Sequence, residues 1–327
     1  MCTSISYIAE NQHIFLGRTM DFGPELKGRP VVTPRNYEWT SQLGEHFHFD
    51  YGFIGIGRKL GDYLVADGVN EKGLAMAELY FAGEAEYAQP VSGKAGQLAP
   101  HEFIMWVLGK MASIADVRAS IDQISLVDAP SALLKVTSPL HFILSDLSGA
   151  TVVIETKGQS LQIIDDPIKV MANSPDFNWH LTNLRNYLPL NPHSAPNREI
   201  NGYKLNAFGP GSGTFGLPGG YTSPERFVRA SYLLSNIEAA DTTEKNVVNL
   251  FRILDNVTIP RGVKIKDDGS VDYTQYRSLV DLTTRTLYFQ PYDSLQLYEA
   301  RLTDDLLNKS EVTELPVGDG LGANVLN

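Results

Sequence analysis

A cysteine stands directly behind the first methionine, and it is the only cysteine among the 327 residues of the chain. Removal of Met1 would leave Cys2 with a thiol and a free α-amine on one residue. A thiol with a reference pKa of about 8.5 then lies beside an amine of about 7.7–8.0, so the amine can accept the thiol proton near neutral pH. This pairing predicts a nucleophile that needs no separate histidine base. The alternative is an exposed thiol that carries no function.

An acyl-transfer site at Cys2 needs groups that hold the amine, tune the thiol and stabilise a tetrahedral oxyanion. Arg18 and Asp21 follow the second predicted strand. If the first two strands form a hairpin, this segment lies near the start of the chain. Asp21 could then hold the amine or the thiol, and Arg18 could favour a thiolate. By spacing alone, a solvated turn is the commoner structure for such a pair.

Two further polar residues stand near predicted helix starts. Asn173 can donate its amide to an oxyanion or cap the next helix, and the cap is the commoner role. Arg226 falls in a first helical turn, where the helix dipole disfavours a cation, so it suggests a partner carboxylate or a functional role. A papain-like pairing of Cys2 with His141 or His180 is disfavoured, because we expect no preceding chain to frame the nucleophile.

Composition narrows the possible partners. The net charge of −11 argues against binding to nucleic acid or to an anionic membrane. No apolar run reaches the length of a membrane span and no secretory leader is recognisable, so the sequence predicts a cytoplasmic protein. One cysteine excludes an internal disulfide framework and a cysteine-based zinc cluster. For acyl transfer at Cys2 we expect neither a metal nor a cofactor.

The hydrophobic pattern predicts the elements that must position these residues. Short alternating runs predict strands, and periodic runs of apolar residues predict helices. Strands are predicted at 5–9, 14–17, 53–56, 63–66, 74–81, 141–145, 151–155, 161–164, 169–171, 276–282, 286–290 and 296–300, and helices at 100–111, 113–124, 177–188, after Thr222 and at 245–254. This order is typical of a layered fold of sheets and helices, and we expect 1–327 to form a single domain. Thr222 and Glu225 have the spacing of a capping box.

Several motifs resemble the choloylglycine hydrolase family, which contains bile salt hydrolases and penicillin V acylases among the N-terminal nucleophile hydrolases. They are spread from the first residues to the later helices and strands, so the resemblance covers essentially the whole chain. The motifs are Met1-Cys2-Thr3, Arg18-Thr19-Met20-Asp21, Asn70-Glu71-Lys72-Gly73-Leu74, the run 173–180, Gly216-Leu217-Pro218-Gly219 and the run 223–230.

This resemblance implies an α+β fold, a four-layer αββα sandwich of two antiparallel sheets between helical layers. It implies that Cys2 is the nucleophile and that its amine is the base. Asp21 would orient the amine, Arg18 would tune the thiol, and Asn173 would supply an oxyanion donor. Arg226 would complete the polar network. The excursion at 190–221 would take part in assembly of a homotetramer.

One departure bears on the substrate. Bile salt hydrolases of the family typically have asparagine at the position of Tyr80, whereas penicillin V acylases have tyrosine there. The backbone N–H of Tyr80 can still complete the oxyanion hole. An aromatic ring suits a phenoxyacetyl group, whereas the lost amide removes a polar contact for a conjugated bile acid. Core packing is the other role open to Tyr80. The remaining candidate pocket residues, chosen because they neighbour motif positions, are Met20, Leu60 and Ala66.

The sequence therefore favours an amidase acting on penicillin V-type N-acyl substrates. Bile salt hydrolysis is the first alternative. A related alternative is hydrolysis of another N-acyl compound, such as an acyl-homoserine lactone. A non-catalytic binding module and a redox sensor using Cys2 are alternatives of other classes. A retained Met1 would favour the binding module, because a blocked amine cannot act as a base.

Overall fold

The computed structural model describes residues 1–60, 62–318, 320–324 and 326. The strands are, in chain order, β1 (Cys2–Ile8), β2 (Ile14–Phe22), β3 (Arg29–Thr33), β4 (Glu38–Thr40), β5 (His46–His48), β6 (Phe53–Leu60), β7 (Asp62–Asn70), β8 (Ala75–Tyr80), β9 (Gln97–Leu98), β10 (Ser125–Leu126), β11 (Leu140–Ser145), β12 (Thr151–Lys157), β13 (Ser160–Asp165), β14 (Val170–Met171), β15 (Arg198–Ile200), β16 (Tyr203–Leu205), β17 (Tyr273–Asp281), β18 (Thr286–Pro291), β19 (Tyr298–Arg301) and β20 (Thr313–Glu314). The α-helices are α1 (Phe103–Lys110), α2 (Ile114–Ser120), α3 (Phe177–Asn183), α4 (Ser223–Asn236), α5 (Thr243–Val257) and α6 (Asp304–Leu307).

Two large antiparallel sheets form the framework. The six-stranded sheet has the order β14-β1-β2-β17-β18-β19, and the eight-stranded sheet has the order β13-β12-β11-β8-β7-β6-β3-β20. β1 and β2 form a hairpin in which Cys2 lies opposite Met20 and Ser4 lies opposite Arg18. This register brings the start of the chain beside the far end of β2.

Burial separates the layers. Alternate residues of β8 point to opposite faces of the eight-stranded sheet. Ala77 and Leu79 join the core that also contains the apolar residues of the six-stranded sheet and of α4 and α5, whereas Met76 packs with Phe103 and Val107 of α1. Helices thus cover the outer face of each sheet. The predicted αββα sandwich is confirmed.

The second strand is longer than its hydrophobic pattern predicts. Arg18 and Asp21 lie inside β2, which continues to Phe22 and pairs with β17, so they do not form the solvated turn that their spacing alone would favour. Asp67 and Gly68, which look like a turn, lie inside β7. In both places polar residues stay in a strand because the buried site between the sheets supplies their hydrogen-bond partners.

Helix starts agree with their sequence signals. Thr222 caps α4, and the side chain of Glu225 returns to the Thr222 backbone, which confirms the predicted capping box. The cap fixes the first turn of α4, so the buried Arg226 projects towards the start of β1.

The segment 190–221 contains the small β15–β16 hairpin and exposes several large apolar side chains, including Tyr203, Phe208 and Phe215. Its role in tetramer assembly stays a prediction, as does the assignment of 1–327 to one domain. Among the described residues, no helix combines the length and the apolar character that a membrane crossing requires.

Candidate active site

The thiol of Cys2 lies at the start of β1 and contacts a buried arginine. Cys2 is 3% exposed and Arg18 is 1% exposed. Nη2 of Arg18 donates to Sγ of Cys2 at 2.7 Å. The contact places a fixed positive charge directly against the sulfur. The hairpin register therefore produces the contact that the spacing alone left open.

Arg18 is held by groups from both sheets. Its Nη1 lies 3.4 Å from Oδ2 of Asp67 on β7, and its Nε donates to the Thr19 carbonyl. The Tyr276 hydroxyl on β17 donates to the same Asp67 oxygen at 2.7 Å. Burial alone would lower the pKa of Arg18, but the surrounding negative charges, those of Cys2 and Asp67 among them, outweigh it and raise that pKa. Arg18 therefore stays a cation beside the thiol.

The fully buried Asp21 is fixed by hydroxyl groups. Thr19 and Thr274 donate to its two carboxylate oxygens at 3.1 and 2.5 Å. With Met1 in place, the terminal amine donates to the backbone carbonyl of Asp21, not to its carboxylate. Burial lowers the pKa of this amine. Asp21 thus lies beside the start of the chain, where sequence reasoning expects it.

Asn173 connects Cys2 to the eight-stranded sheet. Its Oδ1 accepts from the Cys2 backbone N–H and from Nη2 of Arg226, each at 2.7 Å. Its Nδ2 donates to the Tyr80 carbonyl at 2.7 Å. An amide nitrogen carries two hydrogens, so one stays available for a ligand. Asp176, not Asn173, caps the following helix, which removes the commoner sequence interpretation of Asn173.

Arg226 connects the first residues of β1 to helix α4. Its Nη1 donates to the Cys2 carbonyl and to Oγ1 of Thr3, each at 2.5 Å, and lies 3.8 Å from Oδ2 of Asp21. Burial lowers the pKa of Arg226, while the charges of Asp21 and Cys2 oppose that effect. The cation in the first turn of α4 is thus buried next to a carboxylate. A partner carboxylate was one of the two explanations for its unfavourable position at the helix dipole.

The two candidate histidines support the Asn173 loop instead of contacting the thiol. A ring nitrogen of His141 lies 2.9 Å from the Ala172 carbonyl, and one of His180 lies 2.7 Å from the Asn173 carbonyl. Burial lowers the pKa of His180 to about 4, so it is neutral at pH 7. Among the described contacts neither histidine reaches Cys2, and the geometry gives no support to a papain-like pair.

Sequence reasoning missed the supporting residues. Asp67 and Tyr276 hold Arg18, Thr274 holds Asp21, and the Ser223 hydroxyl accepts the Asn173 backbone N–H at 2.8 Å. Their positions depend on pairing between distant strands. Only Ser223 stands within a recognisable motif, at the start of the capped helix.

A cleft lined by side chains from both sheets opens beside Cys2. Met20, Ala66 and Tyr80 line it, as the sequence predicts. The side chain of Leu60 lies outside the described part of the structure. The other walls are mainly apolar and include Phe22, Leu26, Ile56, Leu64, Val65, Leu133, Leu134 and Leu140. The cleft therefore accepts a largely apolar group next to the thiol.

The αββα sandwich with a cysteine at the start of an inner strand has the architecture of the N-terminal nucleophile hydrolases. It superposes on a crystal structure of a conjugated bile acid hydrolase variant from Clostridium perfringens with a TM-score of 0.92, 28% identity and full coverage of both chains. The family model described as linear amide C–N hydrolases, choloylglycine hydrolase family, matches residues 2–315. The chain belongs to this family, and it is a linear amide C–N hydrolase.

Curated relatives divide between two activities. A conjugated bile acid hydrolase from Lactobacillus acidophilus is 33% identical over 314 residues, which cover 95% of this chain and 99% of that protein. A penicillin V acylase from Pectobacterium atrosepticum is 29% identical over 287 residues, which cover 82% of this chain and 69% of that protein. The similarity to the bile acid hydrolase is higher and more complete.

Proposed function

We propose that this chain hydrolyses the amide bond of glycine- or taurine-conjugated bile acids, with Cys2 as the nucleophile. The observation that carries the proposal is the Cys2 thiol, held at 2.7 Å by Arg18 at the edge of a mainly apolar cleft. A bile acid presents a large apolar ring system and one amide, which is the combination that such a cleft accepts. The higher similarity to conjugated bile acid hydrolases supports this substrate class.

The reaction begins once Met1 has been removed and the Cys2 amine is free. The amine accepts the thiol proton, and Arg18 stabilises the resulting thiolate. Sγ then bonds to the substrate carbonyl carbon, and the carbonyl electron pair moves to the oxygen. Asn173 Oδ1 accepts from the Cys2 nitrogen, and Asp21, beside the start of the chain, would orient the amine once Met1 is absent. Arg226 holds the Cys2 carbonyl and the Asn173 amide oxygen. All five predicted catalytic residues thus take part in the proposed mechanism: Cys2, Arg18, Asp21, Asn173 and Arg226.

The oxyanion is stabilised by donors from two elements. The free hydrogen of Asn173 Nδ2 is one of them. The Tyr80 backbone N–H is the other, because the N–H of the next residue, Phe81, donates to the carbonyl of Pro139 at the start of β11. N–H groups of successive strand residues point to opposite sides, so that of Tyr80 points away from β11. It points in the same direction as the Tyr80 carbonyl, which meets Asn173.

Two steps complete the reaction: collapse of the tetrahedral intermediate to a thioester, and hydrolysis of that thioester. The α-ammonium group gives its proton to the leaving nitrogen, the C–N bond breaks, and glycine or taurine departs from a thioester. The free amine then takes a proton from water, whose oxygen attacks the thioester carbonyl. The C–S bond breaks, and the bile acid and Cys2 are released. No metal or redox partner is needed for these proton and acyl transfers.

The test is parallel kinetics on conjugated bile salts and on penicillin V. Release of glycine or taurine and of 6-aminopenicillanic acid is measured on one preparation, whose intact mass shows whether Met1 is absent. We expect kcat/KM for a bile salt to exceed that for penicillin V by about tenfold or more, equivalent to about 1.4 kcal/mol of transition-state binding. Cys2→Ser should remove turnover while the thermal transition is retained.

Penicillin V acylase activity is the second candidate, and the Tyr80 ring at the cleft supports it. The reverse preference, with Met1 absent, would overturn the bile salt proposal and establish the acylase. Activity on neither substrate with a free Cys2 would direct the search to other N-acyl amides, including acyl-homoserine lactones. A Cys2→Ser variant with full activity would refute the cysteine mechanism for either substrate.

A further inference from the structure

One acidic residue on the cleft wall has no part in the mechanism above. Glu78 lies on β8 opposite Phe142 of β11 and lines the cleft together with Cys2. Its Oε2 is buried and has no hydrogen-bond partner among the described residues. Leaving a buried polar atom unpaired costs about 1–3 kcal/mol. Glu78 as a whole is only partly buried on the cleft wall, so rotation of its carboxyl group would let a bound group hydrogen-bond it. The wall around this atom is mainly apolar.

A second residue of the same cleft also has a polar atom without a hydrogen-bond partner among the described residues. His101, just before α1, also lines it, and its Nδ1 is buried without a partner among the described residues. Burial lowers the pKa of His101 to about 4, so this histidine is neutral at pH 7. An apolar ligand would leave both atoms unpaired. The cleft therefore suits an acyl group that carries polar atoms of its own.

The charges near Glu78 restrict what it can bind. Burial raises the pKa of Glu78 well above its ordinary value; the charge of Arg18 opposes this, while those of Cys2 and Asp67 add to it. Arg18 already contacts Asp67, the Thr19 carbonyl and the Cys2 sulfur, and the described ion pairs do not join it to Glu78. Burial thus favours the protonated form of Glu78, which offers one donor and one acceptor. It matches a hydroxyl or carbonyl oxygen better than an ammonium or a carboxylate.

We propose that Glu78 is a specificity-determining residue that hydrogen-bonds a neutral hydroxyl or carbonyl oxygen on the acyl part of the substrate. In this form the inference deepens the proposed function, because the rings of bile acids carry hydroxyl groups. It also applies to other hydroxylated or oxo-substituted acyl chains. Glu78 would select among acyl groups, while Cys2 and Arg18 act on the amide.

The experiment measures binding in a Cys2→Ala background, so that it needs no turnover. Isothermal titration calorimetry compares two matched pairs of ligands. One pair is the glycine conjugates of 5β-cholanic acid with and without ring hydroxyls, and the other is N-decanoylglycine with and without a 3-hydroxyl. We expect the hydroxyl to improve the affinity about three- to tenfold in at least one pair. This gain should vanish in Glu78→Met and Glu78→Ala and persist in Glu78→Gln, whose amide also donates and accepts.

Glu84→Gln, a substitution at an exposed position of the following loop, is the matched control and should leave the gain unchanged. An equal hydroxyl gain with Glu78 and with either apolar variant would overturn the inference, and so would no gain with Glu78 in both pairs. If bile conjugates do not bind but the decanoyl pair shows the Glu78-dependent gain, the bile salt proposal fails and this inference stands.

Turnover separates specificity from support of the nucleophile. In the Cys2 enzyme, Glu78→Met should change the KM ratio of the paired substrates and leave the rate of Cys2 alkylation by iodoacetamide within about twofold, because no hydrogen bond joins the two described side chains. A uniform fall in kcat together with slow alkylation would assign Glu78 to the thiolate environment and overturn the inference.

Discussion

Replacement of Asn173 by aspartate distinguishes the role of its amide oxygen from that of its amide nitrogen. Oδ1 accepts from Cys2 and from Arg226, whereas Nδ2 donates to the Tyr80 carbonyl and keeps a second hydrogen for the oxyanion. Asn173→Asp preserves size and the acceptor contacts and removes both donors. If Asn173 serves only to fix the chain start, the variant should stay active. If it is an oxyanion donor, the chemical step should slow.

The expected loss follows from these contacts. Removing one oxyanion donor costs about 2.7–4 kcal/mol, a fall of about 10²–10³ in kcat. KM should change less than threefold, because the donor acts mainly on the charged intermediate. The Tyr80 carbonyl also loses its partner, at about 1–3 kcal/mol of stability. The new carboxylate lies beside Arg226, so part of this loss is offset.

The assay is steady-state release of glycine from a conjugated bile salt, or of 6-aminopenicillanic acid if penicillin V is the better substrate. Intact mass must show that Met1 is absent from the Asn173→Asp enzyme, because this side chain also contacts the Cys2 N–H. Ser223→Ala is the matched control: it removes the partner of the Asn173 backbone N–H and should lower kcat less than tenfold. A processed Asn173→Asp enzyme with kcat within threefold of the parent would refute the oxyanion role.

Two further predictions concern buried acids. Burial raises the pKa of Asp166 to about 7, so folding favours its protonated form and stability should fall as pH rises from about 4 to 7. Asp166→Asn should raise the melting temperature at pH 7 and flatten this dependence; equal curves for both proteins would contradict the assignment. Tyr276→Phe removes the 2.7 Å hydrogen bond to Asp67, which supports Arg18. Alkylation of Cys2 should slow by about two- to tenfold, equivalent to about 0.5–1.5 kcal/mol, and an unchanged rate would contradict the coupling.

Local sequence signals predicted much of the framework. The capping box at Thr222 and the apolar runs of β11 and β12 depend on neighbouring residues, and each agrees with the structure. The short strands β3 to β5 were not predicted, because runs of three to five residues carry little periodic signal. Polar residues at the buried end of β2 also obscured its length. Tertiary hydrogen bonds compensate for polar side chains there, and a local pattern does not contain them.

The candidate site divides in the same way. Cys2 and Asn173 could be singled out because each suits a specific chemical task, and the family motifs placed Arg18, Asp21 and Arg226 with them. Their supports could not be predicted, because strand register creates those contacts. Tyr276, for example, lies opposite Met20 only after a bulge between β2 and β17.

The link between Arg18 and Asp67 joins the two sheets, and its cost indicates its role. Both side chains are buried, and Nη1 of Arg18 lies 3.4 Å from Oδ2 of Asp67. The other carboxylate oxygen of Asp67 has no hydrogen-bond partner among the described residues. A buried ion pair with incomplete hydrogen bonding contributes little net stability, yet breaking it strands a charge in the core. Stability therefore does not explain the pair. The proposed mechanism does explain it, because a guanidinium that is already desolvated and held 2.7 Å from the thiol would stabilise a thiolate without reorganising during the reaction.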